Sequence, residues 1–180
     1  MTEQHEQEKL RSYLAAQSTK LSAVEIRQRL DEAAREFFKT IEGITDATAH
    51  RPPAPAEWTV AEVVDHVTLT LADATEIMKA LAGGKLAQPF REHRPRPAQA
   101  AEPIAEVVSR LRRSQAAVTD FLDAQTGEPH LELRVSESFF GNVNWKAYAL
   151  ILRLHYKDHT RQVKQILAGV SGLPGSVAAT

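Results

Sequence analysis

The residues of this chain best suited to chemistry are His155, His159 and Gln162, in the stretch NWKAYALILRLHYKDHTRQVKQILA at 144–168. At 3.6 residues per turn, Tyr148, Ile151, Leu152, Val163 and Ile166 fall on one side of a helix, and Lys146, Arg153, Lys157, Thr160, Arg161 and Lys164 on the other. The two histidines and Gln162 interrupt the apolar side. Histidines four apart stand one turn apart on the same side, the spacing by which two imidazoles bind one metal ion in helical zinc motifs. A pair of core histidines satisfied by hydrogen bonds is the structural alternative. Two in register, followed by an inward glutamine, favour a site, and a third ligand must come from elsewhere. Gln162 would bond a ligand histidine or a metal-bound water, or else cap a neighbouring helix end.

Other routes to catalysis find no residues. Tyr156, Lys157 and Asp158 lie between the histidines, so the glutamate of a His-Glu-x-x-His peptidase site is missing. No serine sits in a nucleophile elbow, and no glycine-rich loop suggests phosphate binding. The chain has no cysteine, which excludes disulfides, a thiolate metal site and a cysteine nucleophile. What remains is metal-assisted activation of water, or of a thiol brought from outside, because a metal lowers the pKa of either. Zinc is the first expectation, with nickel, iron, cobalt and manganese also able to bind imidazole.

One hundred and eighty residues fit one domain with a sizeable core, and the formal net charge of −1 points to neither nucleic acid nor a solvating tail. The first residues, MTEQHEQEKLRSYL, lack the apolar core of a signal peptide. The longest apolar run, at 147–152, is too short to span a bilayer. A soluble, cytoplasmic protein with a small-molecule substrate, and neither nucleic-acid nor membrane partners, is expected.

Four helices must position these residues. Residues 1–20 read as a flexible N-terminal arm, because 3–16 could be helical but carries no strong apolar stripe. Ser22 caps a first main helix to about Glu42, with Glu25 completing a capping box. Its buried stripe is Val24, Ile26, Leu30, Ala33, Ala34, Phe37, Phe38 and Ile41. The proline-rich stretch 44–57 is a loop, and His50 within it a surface histidine. Thr59 caps the second helix with Glu62, and Trp58 staples its first turn. Val60, Val63, Val64, Val67, Leu71, Ala74 and Met78 form its buried face, with His66 at the edge, and Gly83-Gly84 stops it. A long connection follows, in which His93 reads as solvated. Pro103 opens a third helix ending by Gly127, with Ile104, Val107, Val108, Leu111, Val118, Phe121 and Leu122 inward and the run Arg110, Arg112 and Arg113 on a solvated face. Residues 131–135 alternate, but one strand makes no sheet. Asn144 caps the last helix, and after Gly169 the chain is a tail. The domain expected is an all-α four-helix bundle at 21–170 with long crossover connections, followed by a tail at 171–180.

Such a bundle could bring His66 opposite His155 and His159, leaving positions open for water or substrate, the pattern of catalytic metal sites. Glu62, Asp65, Asp158 and Gln162 are the nearby partners that could orient a ligand. Glu62 is better explained by its cap and Asp65 by an outward salt bridge.

The motif W-T-x-x-E-x-x-x-H at Trp58 to His66, and H-x-x-x-H-x-x-Q at His155 to Gln162 preceded by Phe140-Gly141-Asn142-Val143-Asn144, resemble the DinB/YfiT-like family in order and spacing. The resemblance implies a four-helix bundle of DinB/YfiT-like type holding a divalent metal through His66, His155 and His159. It also implies a metal-dependent enzyme, a transferase, isomerase or hydrolase, in some members using mycothiol, bacillithiol or glutathione, and commonly a homodimer. The rival reading is a non-catalytic metal- or ligand-binding bundle.

Overall fold

The computed structural model describes residues 3–89 and 102–171. The helices are α1 (Glu3–Lys20), α2 (Ala23–Thr40), the single turn α3 (Asp46–Ala49), α4 (Val60–Ala82), α5 (Ile104–Asp123) and α6 (Trp145–Ser171). A hairpin of β1 (Val135–Glu137) and β2 (Gly141–Val143) lies between the last two helices. Helix α6 packs on α2 and α4, and α5 packs on the same two. The four helices therefore close a ring in the order α2, α6, α4, α5. Chain-successive helices α2 and α4, and α5 and α6, stand across the ring from each other, which is why long crossovers join them.

Local signals set where each helix begins. The Ser22 hydroxyl accepts from the Glu25 N–H at 3.2 Å while the Ser22 N–H donates to Glu25 Oε2 at 2.8 Å. Thr59 and Glu62 form the same reciprocal pair at 3.2 and 2.7 Å. Asn144 Oδ1 accepts from the Ala147 N–H at 3.0 Å. Each such cap contributes on the order of 1 kcal/mol. The caps also fix register: with Thr59 outside the helix, His66 falls in the second turn of α4, on its inner side.

The core runs through the ring, from Ile26, Leu30 and Phe37 on α2 through Val64, Val67 and Leu71 on α4 and Leu111 and Val118 on α5 to Leu152, Tyr156 and Val163 on α6. One polar chain crosses it. The Tyr156 hydroxyl donates to Gln115 Oε1 at 2.9 Å, and Gln115 Nε2 donates to Asp31 Oδ1 at 3.4 Å. This ties α6 to α5 and α2, and burial pushes the Tyr156 phenol well above its usual range.

Several expectations change. Residues 3–20 are helical: α1 lies along α6, buries Leu14 and packs Leu10 and Tyr13 against the core, a short apolar stripe supplemented by polar bonds. Arg11 Nε and Gln7 Nε2 both donate to the Phe139 carbonyl at 2.9 Å, pinning the hairpin turn. The extended segment does find a partner, since 135–137 pairs antiparallel with 141–143 (Val135 opposite Val143) across a turn containing Phe139 and Phe140. Val24, assigned to the buried stripe of α2, is 53% exposed, because that stripe's centre passes through Ile26 and Leu30. Arg110 is no free surface charge: it pairs with Glu102 and reaches Asp65 on α4 at 3.3 Å, the outward salt bridge expected of Asp65. Helix α6 continues two residues past Gly169. His93 and the tail beyond 171 lie outside the described residues.

The largest correction concerns Lys146, placed by its helical position on the polar side of α6. Residues 145–150 are all buried, and Lys146 is only 2% exposed. The loop after α5 folds over this face. Its Glu128, at φ 46° in the left-handed region, accepts from Lys146 Nζ at 2.7 Å and from the Ala23 N–H at 2.8 Å. The neighbouring Pro129 carbonyl accepts from Trp145 Nε1 at 2.8 Å. Thr160, assigned to the same side, is buried too and donates to the Tyr156 carbonyl at 2.7 Å. Because Lys146 is enclosed while Glu128 is partly solvated, the two halves of this pair are not equivalent. Glu128→Ala strands an ammonium in the core and should cost about 3 kcal/mol in urea unfolding. Lys146→Met leaves a carboxylate that water can reach and should cost about 1 kcal/mol. Equal losses would show that Lys146 is not enclosed in solution.

Candidate metal centre

Helix α4 presents His66, and α6 presents His155 and His159, where the two helices pack together. One nitrogen from each ring can be chosen so that all three lie within 4.8 Å of one another. The ring centroids are 5.1 Å apart for His66 and His155, 4.9 Å for His66 and His159, and 4.3 Å for His155 and His159. The i, i+4 spacing on α6 provides two of these positions. The register of α4 against α6 provides the third.

Side chains around the rings hold them in place. Gln162 Oε1 lies 2.7 Å from His159 Nδ1. An amide oxygen can only accept, so Nδ1 carries the proton and the Nε2 lone pair is left for a Lewis acid. The Trp58 indole lies parallel to the His159 ring, interplanar angle 11° at 6.5 Å, and meets His66 edge-on at 5.2 Å. The residue read from sequence as a helix staple is therefore also the wall of the cluster, a role for which sequence carries no separate signal.

Electrostatics keep the site basic in the Lewis sense. Burial holds His155 well below the usual histidine value, reinforced by repulsion from His159 and His66. His159 is also lowered by burial, opposed by its bond to Gln162 and by nearby Asp158. Near neutral pH both are neutral imidazoles, the form that binds metals. The His155 Nε2 atom is enclosed and has no hydrogen-bond partner among the described residues. Buried polar atoms are almost always satisfied, and an enclosed imidazole nitrogen left free beside two other imidazoles fits a site able to hold a cation. The donor set, all nitrogen with no thiolate, suits zinc or another imidazole-binding transition metal.

The other polar residues near the site fall elsewhere. Glu62 is engaged with Thr59 in its cap. Asp158 pairs with Arg161 at 2.7 Å on the exposed rim. His50 is half-buried rather than on the surface, its Nε2 donating to the Glu102 carbonyl at 2.8 Å, and it stands apart from the cluster.

His155 also lines a cavity of about 850 Å3. Thr70 and Ala74 of α4, Ile151 and Leu152 of α6, Leu10 of α1 and Phe139 and Phe140 of the hairpin turn contribute to its walls. Tyr148 and Glu137, hydrogen-bonded to each other, stand on the hairpin side. Sequence patterning did not single out α1 or the hairpin as cavity walls. The signal for them is tertiary, since both are positioned by the bonds from Gln7 and Arg11 to the turn.

No curated protein matches the chain. The family model of the DinB superfamily matches residues 29–163, a stretch that contains α4, α5, the hairpin and all three clustered histidines. A ring of four helices with two long crossovers, and a match over well more than half the sequence, agree with the motifs at 58–66 and 155–162: the chain belongs to the DinB superfamily, a metal-binding helical superfamily.

Proposed function

We propose that this protein is a divalent-metal-dependent enzyme in which His66, His155 and His159 hold the ion and a small thiol or a water is the activated nucleophile. The observation that carries this reading is the unpartnered His155 Nε2, which belongs to a three-imidazole cluster and lines a cavity. A purely structural trio would be expected to satisfy that nitrogen within the protein. Zinc is the favoured ion and nickel the next.

When bound there, such an ion would supply Lewis acidity, making a hydroxide or thiolate available near neutral pH. The chain's own part is positioning. Gln162 fixes the tautomer of His159, and Trp58 shields two of the rings from water. The apolar walls beside His155 suit a small organic substrate, consistent with thiol S-transferase-like or hydrolase-like chemistry. Without a cysteine in the chain, any thiol would be a low-molecular-weight co-substrate.

Plasma mass spectrometry on untagged protein should find near-stoichiometric metal, and His155→Ala should carry little or none. A parent that takes up no zinc, nickel or manganese after incubation would overturn the reading. Gln162→Leu should retain the fold and weaken metal affinity about 10-fold to 100-fold in a competitive chelator titration.

The metal-free protein should also respond to pH with a definite sign. His155 and His159 are lowered in the folded chain, so around pH 6 the unfolded chain takes up protons that the folded one refuses. Their contribution is complete above the unfolded value near 6.5 and is lost as pH falls below it toward the folded values. Urea midpoints should therefore drop between pH 7.5 and 5.5, and His155→Phe should reduce that drop.

A further inference from the structure

We propose that Thr70 is a positioning residue whose hydroxyl donates a hydrogen bond to an anionic oxygen or sulfur of a small apolar ligand held at the histidine cluster. The inference rests on the metal-site reading above and adds a residue and a ligand class to it.

The observation is a contrast among buried threonines. In α4 the Thr68 hydroxyl donates to the Val64 carbonyl at 2.8 Å and the Thr75 hydroxyl to the Leu71 carbonyl at 2.6 Å. In α6, Thr160 does the same toward Tyr156 at 2.7 Å. This bond to the carbonyl four residues back is how a helix ordinarily satisfies a buried threonine. Thr70 is 6% exposed, yet its hydroxyl has no hydrogen-bond partner among the described residues. An unsatisfied buried hydroxyl costs about 1–3 kcal/mol, and such exceptions call for an explanation.

Location offers one. Thr70 follows His66 by four residues and so stands one turn further along the same face of α4. It lines the cavity together with His155, whose Nε2 is likewise enclosed and unpartnered. A hydroxyl and an imidazole nitrogen left unsatisfied at one cavity point to a shared occupant. Beside a cation held by neutral imidazoles the ligand atom is anionic, and a threonine hydroxyl can donate to it. The cavity walls from Ala74, Ile151, Leu152, Leu154 and Phe140 are apolar, while charged side chains such as Lys157 and Arg161 also line it, so the ligand has an apolar body that charged groups can also meet.

The test compares the parent with Thr70→Val, which keeps the shape and removes the hydroxyl, and Thr70→Ser, which keeps the hydroxyl. In metal-free protein Thr70→Val should raise the melting temperature or leave it unchanged, since it removes an unsatisfied group. A clear drop would mean that the hydroxyl has a protein partner in solution, and the proposal falls. After loading with cobalt(II), phenylmethanethiol and benzohydroxamate serve as thiolate and oxyanion probes, with binding read from the cobalt visible absorption. Thr70→Val should weaken at least one probe about tenfold, and Thr70→Ser should bind within about twofold of the parent. The probe that weakens identifies the donor atom as sulfur or oxygen. Equal cobalt content with parent-like binding of both probes by Thr70→Val overturns the role of Thr70 and leaves the metal site standing. A parent that takes up no cobalt overturns both.

Discussion

The packing of α4 against α6 is the constraint on which the rest depends. Either helix alone carries an incomplete set: one histidine on α4, two on α6. Their contact fixes the distance between imidazoles, and it is set by buried apolar side chains on both helices, which interlock only at limited registers. A one-turn slip of α4 would move His66 by about 5.4 Å, more than the present separation of the ligand atoms allows. The capping boxes at Ser22 and Thr59 and the amide cap at Asn144 act in the same direction, since each sets the start of a helix whose phase the core then reads.

Helix α6 is the common neighbour of α1, α2 and α4, and this centrality explains its odd composition. A surface helix shows one apolar stripe, while a helix surrounded on several sides must bury nearly everything at its enclosed end. The chain meets that demand by bringing a compensating group to most polar side chains at that end. Lys146 is neutralised by Glu128, Tyr156 by Gln115, and Trp145 by the Pro129 carbonyl. Among the described residues four buried side-chain atoms have no hydrogen-bond partner, on Arg27, His50, Thr70 and His155, and of these residues only Thr70 and His155 line the cavity. Low dielectric makes unpaired groups costly there and makes whatever completes them bind more strongly.

The cavity walls combine the bundle with elements outside it. Helix α1 lies outside the matched stretch 29–163, yet it supplies Leu10 to the cavity and holds the hairpin turn through Gln7 and Arg11. The histidine cluster, by contrast, lies within the matched stretch. The clustered histidines thus sit on the rigid bundle, and the cavity beside them takes part of its wall from a peripheral helix and a short hairpin, where change disturbs the core least.

Sequence by itself determined what depends on neighbours within a few turns. The helix starts at Ser22, Thr59 and Asn144, the inner faces of α2, α4 and α5, and the pairing of His155 with His159 are all local periodicity and capping chemistry, so they were legible before any fold was known. So was Gln162, because it lies within a turn of His159. Tertiary structure alone decided what joins distant residues. The third histidine of the cluster depended on the register of α4 against α6. The burial of Lys146 depended on a loop whose Glu128 is 18 residues away. The partner of 135–137 lay beyond a turn that apolar patterning could not define, and α1 docked through a stripe as short as Leu10, Tyr13 and Leu14 together with polar bonds to distant residues. Periodicity reports which face of a helix is apolar; only packing determines what that face, and the polar one opposite it, will meet.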